Sequence, residues 1–222
     1  MINIGVLASG RGTNLQAIID AIEDKRLEGS IKAVISDLSG AKVLERAKRR
    51  GIETAVVERG GFSTRESFEK ELVRIFRAQG VELVVLAGFM RILGSDFLDA
   101  FPMRIINIHP SLLPSFTGLD VQKRALEYGV KFAGCTVHFV DKGMDTGPII
   151  IQAAVPVLDG DTVESLSARI LAEEHRILPQ AIELFAKGKL KIEGRKVFVE
   201  GHPGADPDSA VENPGVCIFR RE

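Results

Sequence analysis

The chain has 222 residues, enough for one substantial core or at most two small domains, and its 45% hydrophobic content suits an ordinary globular protein. A formal net charge of -1 excludes nucleic-acid binding driven by bulk charge and leaves only a local basic patch open. No apolar run approaches the roughly 20 residues that cross a bilayer, and a strand starts at residue 2 without a basic leader, so the expectation is a soluble cytoplasmic protein.

In chain order, residues 2–8 form a short apolar run closed by SGRGTN, and Leu15, Ile18, Ile19 and Ile22 then recur at helical spacing within 15–27. The spacing predicts a buried strand, a glycine turn and a helix. Strands follow over 31–35 and 54–57, with a helix over 41–50 between them that Gly51 closes. A third helix is expected over 63–79, with Ser63 as cap, Glu66 completing a capping box, and Phe68, Leu72, Ile75 and Phe76 inward. Residues 83–87 and 104–108 supply two more strands, with a short helix at 95–100 between them. Such repeated βα units predict an α/β fold: a Rossmann-like, doubly wound, mostly parallel sheet with right-handed crossovers.

The rhythm changes after residue 115. A helix near 120–128 precedes two longer β runs, 134–140 and 148–155, joined by the loop DKGMDTG, so the later part of the sheet should be antiparallel. A long helix is expected over 162–187, with Pro179 kinking it, and a last hairpin over 190–199 around Glu193 and Gly194. The reading is a single domain over 1–200 and a loosely held tail over 201–222, rich in Pro, Gly and Asp. Cys135 lies in an apolar run and reads as core; together with Cys217 it makes neither a disulfide framework nor a C-x-x-C metal site.

Three places could carry chemistry. In SGRGTN, Gly10 and Gly12 permit unusual backbone conformations, and Thr13 and Asn14 open a helix whose positive end suits a phosphate; a plain tight turn remains the alternative. Leu15 stands where a dinucleotide fingerprint has its third glycine and no Lys-Ser/Thr pair follows, although Asp37 could mimic the ribose-binding acid of a nicotinamide enzyme. The second place is NIHPSLLP, residues 107–114. Alternation puts Asn107 and His109 on one side of a strand that Pro110 ends, at the edge where open α/β sheets bind ligands. The third is Asp145, in a glycine-rich loop where an Asp is normally a turn former. His138, inside a strand, is assigned to packing or structural hydrogen bonding. The open question is whether Asn107, His109 and Asp145 meet above one edge of the sheet.

The segments SGRGTNLQAII, AGFMRIL, NIHPSLLP and GCTVHFVDKGMDTGPII together resemble the glycinamide ribonucleotide (phosphoribosylglycinamide) formyltransferases, folate-dependent enzymes of de novo purine synthesis. The likeness runs from Met1 to about residue 195. It implies that Asn107, His109 and Asp145 are the catalytic trio, that Gly12, Thr13 and Asn14 hold the ribonucleotide phosphate, and that Glu174 contacts the glycinamide end. It further implies that Arg65, Met90, Arg91, Ile92, Leu93, Asn107, Asp141 and Met144 contact 10-formyltetrahydrofolate, the co-substrate. The sequence departs from relatives at Arg11 and in the SFTG that follows Pro114, neither within the trio.

The reaction so implied has an amine attack a formyl carbon, pass through an oxyanion and expel the folate nitrogen. Asn107 would donate to the formyl oxygen, His109 would donate and deliver a proton, and Asp145 would favour the charged imidazole or accept the amine proton. No metal, nucleic acid or membrane is expected to take part, and the chain is expected as a monomer or homodimer. Hydrolysis of the formyl folate, a sugar-nucleotide formyl acceptor, nicotinamide redox chemistry and simple ligand binding stand as alternatives.

Overall fold

The computed structural model describes residues 1–200 and, as backbone, 216 and 217. Its centre is an eight-stranded sheet in the order β10-β7-β6-β5-β4-β1-β2-β3, flanked by helices on both faces. The strands are β1 (Ile2–Leu7), β2 (Gly29–Ser36), β3 (Glu53–Val56), β4 (Leu83–Leu86), β5 (Ile105–His109), β6 (Phe132–Phe139), β7 (Ile149–Pro156) and β10 (Val216–Cys217). The helices are α1 (Thr13–Glu23), α2 (Lys42–Arg49), α3 (Arg65–Ala78), α4 (Ser95–Ala100), α5 (Val121–Tyr128) and α6 (Val163–Ala186). A separate hairpin pairs β8 (Leu190–Glu193) with β9 (Lys196–Val199).

Strands β1 to β5 pair in parallel, while β6 runs antiparallel to both β5 and β7, as the short loop between the two β runs required. Alternate residues of the parallel strands enter opposite cores, which is why these strands read as unbroken apolar runs. Ile106 and Ile108 join Leu15, Ile18, Val43 and Ile170 on the face covered by α1, α2 and α6. Ile105 joins Phe68, Leu72, Phe76 and Phe97 on the face covered by α3 and α4. Asn107 and His109 share the parity of Ile105 and so leave the strand on that second face.

The third helix starts one residue later than its sequence suggests. Thr64, not Ser63, is the cap: its Oγ1 accepts from the Ser67 amide at 3.1 Å, and the Thr64 amide donates to Ser67 Oγ at 3.3 Å. The reciprocal box is therefore Thr-x-x-Ser, with the Ser67 hydroxyl in the place expected for a carboxylate. Helix α6 is built the same way with Thr162 and Ser165, and it runs on through the buried Pro179. Cys135 is wholly buried in the core.

Among the described residues no helix is long and apolar enough to cross a membrane. The tail expected over 201–222 lies outside the described residues, apart from the backbone of β10, which pairs in parallel with Gln152 and Ala153 of β7.

Candidate active site

The sheet's winding reverses between β1 and β4, and the crevice beyond their carboxyl ends is walled by the turns that follow them. The two turns are tied together: the Ser9 amide donates to Gly88 O at 3.0 Å, and the Met90 amide donates to Ser9 Oγ at 3.1 Å.

After β1, Gly12 caps α1 with φ of 73°, and a Cβ there would lie 2.8 Å from the backbone and side chain of Val43. Gly12 is thus demanded twice, by its left-handed conformation and by the approach of α2. Gly10 is not: a Cβ on it meets nothing within 4 Å, so only one of the two glycines needs its freedom. The first turn of α1 has neither a capping side chain nor an acidic residue, an arrangement that suits an anion. Asn14 points inward, where Nδ2 donates to Glu174 Oε2 of α6 at 2.8 Å. Burial pushes the Glu174 carboxyl above its ordinary range, against the opposing pull of that hydrogen bond. Asn14 Oδ1 is buried with no hydrogen-bond partner among the described residues.

After β4, Arg91 Nε donates to Asp37 Oδ2 at 2.5 Å and Ser9 Oγ to Asp37 Oδ1 at 2.6 Å. Both carboxylate oxygens of the buried Asp37 are thus engaged in bracing the crevice wall. Braced in this way, Met90 and Ile92 stand 64% and 60% exposed, while Leu93 is buried. Packing therefore does not explain these two apolar side chains. Arg65 lies beside this segment through Glu69, whose Oε1 accepts from Arg65 Nε at 2.8 Å and from the Gly94 amide at 2.6 Å.

At the end of β5 the three residues singled out in the sequence come together. His109 Nδ1 is 3.6 Å from Asp145 Oδ2, although they arise from different strand ends. Asp145 sits at φ of 55° in the loop 140–148 between β6 and β7, and its Oδ2 also accepts from the Gly118 amide at 2.9 Å. Asp141, in the same loop, folds it by accepting from the Gly143 amide at 3.0 Å and from Thr146 Oγ1 at 2.6 Å. Met144 is left half exposed above it. His109 Nε2 lies 2.9 Å from Phe116 O, so each ring nitrogen faces an oxygen that accepts. The segment after Pro110 is fixed from below by Thr136, whose hydroxyl donates to Ser111 O at 2.7 Å and accepts from the Leu113 amide at 3.0 Å.

Sequence reasoning did not foresee the neighbour of Asn107. Asn107 is the register partner of His138 across β5 and β6, and its Nδ2 is 3.1 Å from His138 Nε2. The signal was present in the alternation of Thr136 and His138, which places both on the face that Asn107 and His109 occupy. The bond between Asn14 and Glu174 and the carbonyl of Phe116 over His109 had no local signature.

A family model described as formyl transferase matches residues 2–182. The chain is 44% identical over 199 residues to phosphoribosylglycinamide formyltransferase of Escherichia coli, covering 90% of this chain and 94% of that protein. It is 50% identical over 190 residues to the trifunctional purine biosynthetic protein adenosine-3 of Drosophila pseudoobscura, covering 85% of this chain but only 14% of that much longer protein. Among solved structures, glycinamide ribonucleotide transformylase 1 from Symbiobacterium toebii superposes with a TM-score of 0.88 at 58% identity, covering 90% of this chain and 94% of that one. On the strength of the matched family model and of a relative aligned over nearly its whole length, the chain belongs to the formyl transferase family, among its phosphoribosylglycinamide formyltransferases.

Proposed function

We propose that this protein transfers the formyl group of 10-formyltetrahydrofolate to the amine of glycinamide ribonucleotide, and that Asn107, His109 and Asp145 carry out the transfer. The observation that supports the assignment of roles is the 3.6 Å approach of His109 to Asp145 beside Asn107 at the carboxyl edge of the sheet. The acceptor's phosphate sits on the open first turn of α1 at Gly12, Thr13 and Asn14, and Glu174 receives the glycinamide end. The exposed Met90, Ile92 and Met144 offer apolar surface to the pterin, with Arg65, Arg91, Leu93 and Asp141 completing the folate wall.

The amine nitrogen attacks the formyl carbon and the carbonyl π electrons move to oxygen. Asn107 Nδ2 and His109 donate hydrogen bonds to that oxygen as it becomes negative. Engagement by His109 Nε2 replaces its bond to Phe116 O. The nitrogen that has attacked gives up a proton to Asp145, the oxyanion collapses, and the folate nitrogen leaves with a proton from His109. The Asp145 carboxyl lies 3.6 Å from Nδ1 of the ring that makes this donation and so holds it in place.

The test is to incubate the protein with 10-formyltetrahydrofolate, with and without glycinamide ribonucleotide, and to follow the formyl group. Loss that depends on the acceptor, with appearance of formylglycinamide ribonucleotide, is the expected result. Equal loss without the acceptor would instead assign hydrolysis, and no loss would leave a binding protein.

A further inference from the structure

His138 is 2% exposed, and each of its ring nitrogens has a defined neighbour. Nδ1 lies 2.8 Å from Phe139 O, an atom that can only accept, so the proton resides on Nδ1. Burial draws this imidazole below its ordinary range, against the opposing pulls of the Phe139 carbonyl and of Asp145 and Asp141, with His109 acting in the same sense as burial. A neutral ring protonated at Nδ1 leaves Nε2 as a bare acceptor. Asp145 Oδ1, at 3.9 Å, lies beyond hydrogen-bond reach of Nε2. The donor Nε2 does have is Asn107 Nδ2 at 3.1 Å.

That tautomer decides which way round the Asn107 amide sits. With Nδ2 toward the imidazole, one of its hydrogens satisfies Nε2 and the second remains a donor. With the amide turned over, Oδ1 would set its lone pairs against the lone pair of Nε2. Set free, the amide could offer Oδ1, an acceptor, to an oxygen gaining negative charge, which reverses the sign of the interaction. Shape alone does not prevent this, because the two ends of an amide are nearly the same size.

We propose that His138 is a positioning residue for formyl transfer: its Nδ1-protonated form fixes the Asn107 amide so that the spare Nδ2 hydrogen is the one offered to the formyl oxygen. The inference rests on the formyl-transfer reading above and adds to it a residue that acts only through Asn107.

The first measurement is independent of activity. In 15N NMR spectra of the wild-type protein at neutral pH, His138 is expected as the Nδ1-protonated tautomer with Nε2 in the acceptor range. An Nε2-protonated or doubly protonated ring overturns the proposal. The second compares His138→Gln, whose amide oxygen can accept where Nε2 stood, with His138→Leu, which offers no acceptor. His138→Leu is expected to lose on the order of a hundredfold in kcat with both KM values within about twofold, and His138→Gln to stay within about tenfold of wild type. Wild-type turnover in His138→Leu, or a loss that falls in KM, overturns the proposal. If His138→Leu fails to fold, the other two measurements still decide: turnover in His138→Gln as low as in Asn107→Ala overturns it. A wild-type protein that transfers no formyl group refutes the functional reading and leaves the tautomer result standing.

Discussion

Asn14 and Glu174 lie 160 residues apart in the chain and meet in a buried hydrogen bond of 2.8 Å between the first turn of α1 and the middle of α6. The bond joins the proposed phosphate seat to the proposed glycinamide contact. It also leaves a carboxyl out of water, and burial lifts its pKa. A carboxyl with a raised folded pKa favours the folded state below its unfolded pKa, and that contribution is lost as pH rises through the folded value. Above the folded value, ionised Glu174 therefore works against stability.

Glu174→Gln should consequently separate binding from stability. Its amide oxygen can still accept from Asn14 Nδ2, but it carries no charge to desolvate. The variant is expected to melt no lower than wild type at pH 8, with the difference shrinking toward pH 4, while KM for glycinamide ribonucleotide rises on the order of tenfold and KM for the folate holds. Thermal melts at several pH values and two substrate titrations check this. A lower melting temperature at pH 8 would contradict the sign derived from burial.

The proposed catalytic trio makes a sharper demand on turnover. Removing one preorganised donor to a developing oxyanion typically costs on the order of a hundredfold in kcat, so Asn107→Ala is expected to fold, bind both substrates and turn over at about 1% of wild type or less. Asp145→Asn keeps the shape and an acceptor for the Gly118 amide but loses the charge beside His109 and the base for the amine. It is expected to fall by a comparable factor. Steady-state kinetics on both variants, with circular dichroism to verify the fold, tests the pair. Near-normal turnover in Asp145→Asn would remove the role given to that carboxylate.

Much of this architecture was legible because the parallel strands are buried on both faces. Ile2–Leu7, Leu83–Leu86 and Ile105–His109 read as apolar runs, and the glycine turn and Pro110 marked where two of them stop. The sequence could show that Asn107 and His109 share a face, since that follows from alternation alone. It could not supply the distance to Asp145, which depends on a 140–148 loop folded by Asp141 and on a residue held at positive φ. Asp37 shows a different gap: its position alone suggested a ribose acid, while its bonds to Ser9 and Arg91 were hidden, because nothing local announces a partner in the turn after another strand.

The two glycines of the first turn should respond very differently to the same change. Gly12→Ala places a Cβ 2.8 Å from the backbone and side chain of Val43 and forces an alanine to φ of 73°. The left-handed conformation alone costs about 1–2 kcal/mol and crowding against α2 adds to it. Gly10→Ala meets open space and should change stability by less than about 0.5 kcal/mol. Denaturant unfolding of both variants, together with KM for the phosphorylated acceptor, distinguishes them: Gly12→Ala should lose stability and acceptor affinity together, and Gly10→Ala neither.

Asp161 and Arg169, whose hydrogen-bond partners Leu158, Ser165 and Pro156 are not among the proposed cleft residues, offer a test of acid stability separate from catalysis. Arg169 Nη1 and Nη2 donate to the two oxygens of Asp161 at 2.8 and 2.9 Å, and the Leu158 amide and Ser165 hydroxyl add two more bonds, each at 2.8 Å, to the same carboxylate. The hydrogen bonds from Arg169 come first among the causes that hold the Asp161 carboxyl far below the usual carboxylate range. A depressed folded pKa gives stability that is fully present above the unfolded value, near 3.8, and is lost as pH falls through the folded one. Asp161→Asn should therefore lower the melting temperature at pH 7. The gap to wild type should close only in strongly acidic solution, where wild-type Asp161 is itself protonated. Turnover of the variant at 25 °C should match wild type, because the pair braces the start of α6 through bonds to Leu158, Ser165 and Pro156, none of them a proposed cleft residue. A gap independent of pH would mean that the pair acts through packing and not through charge.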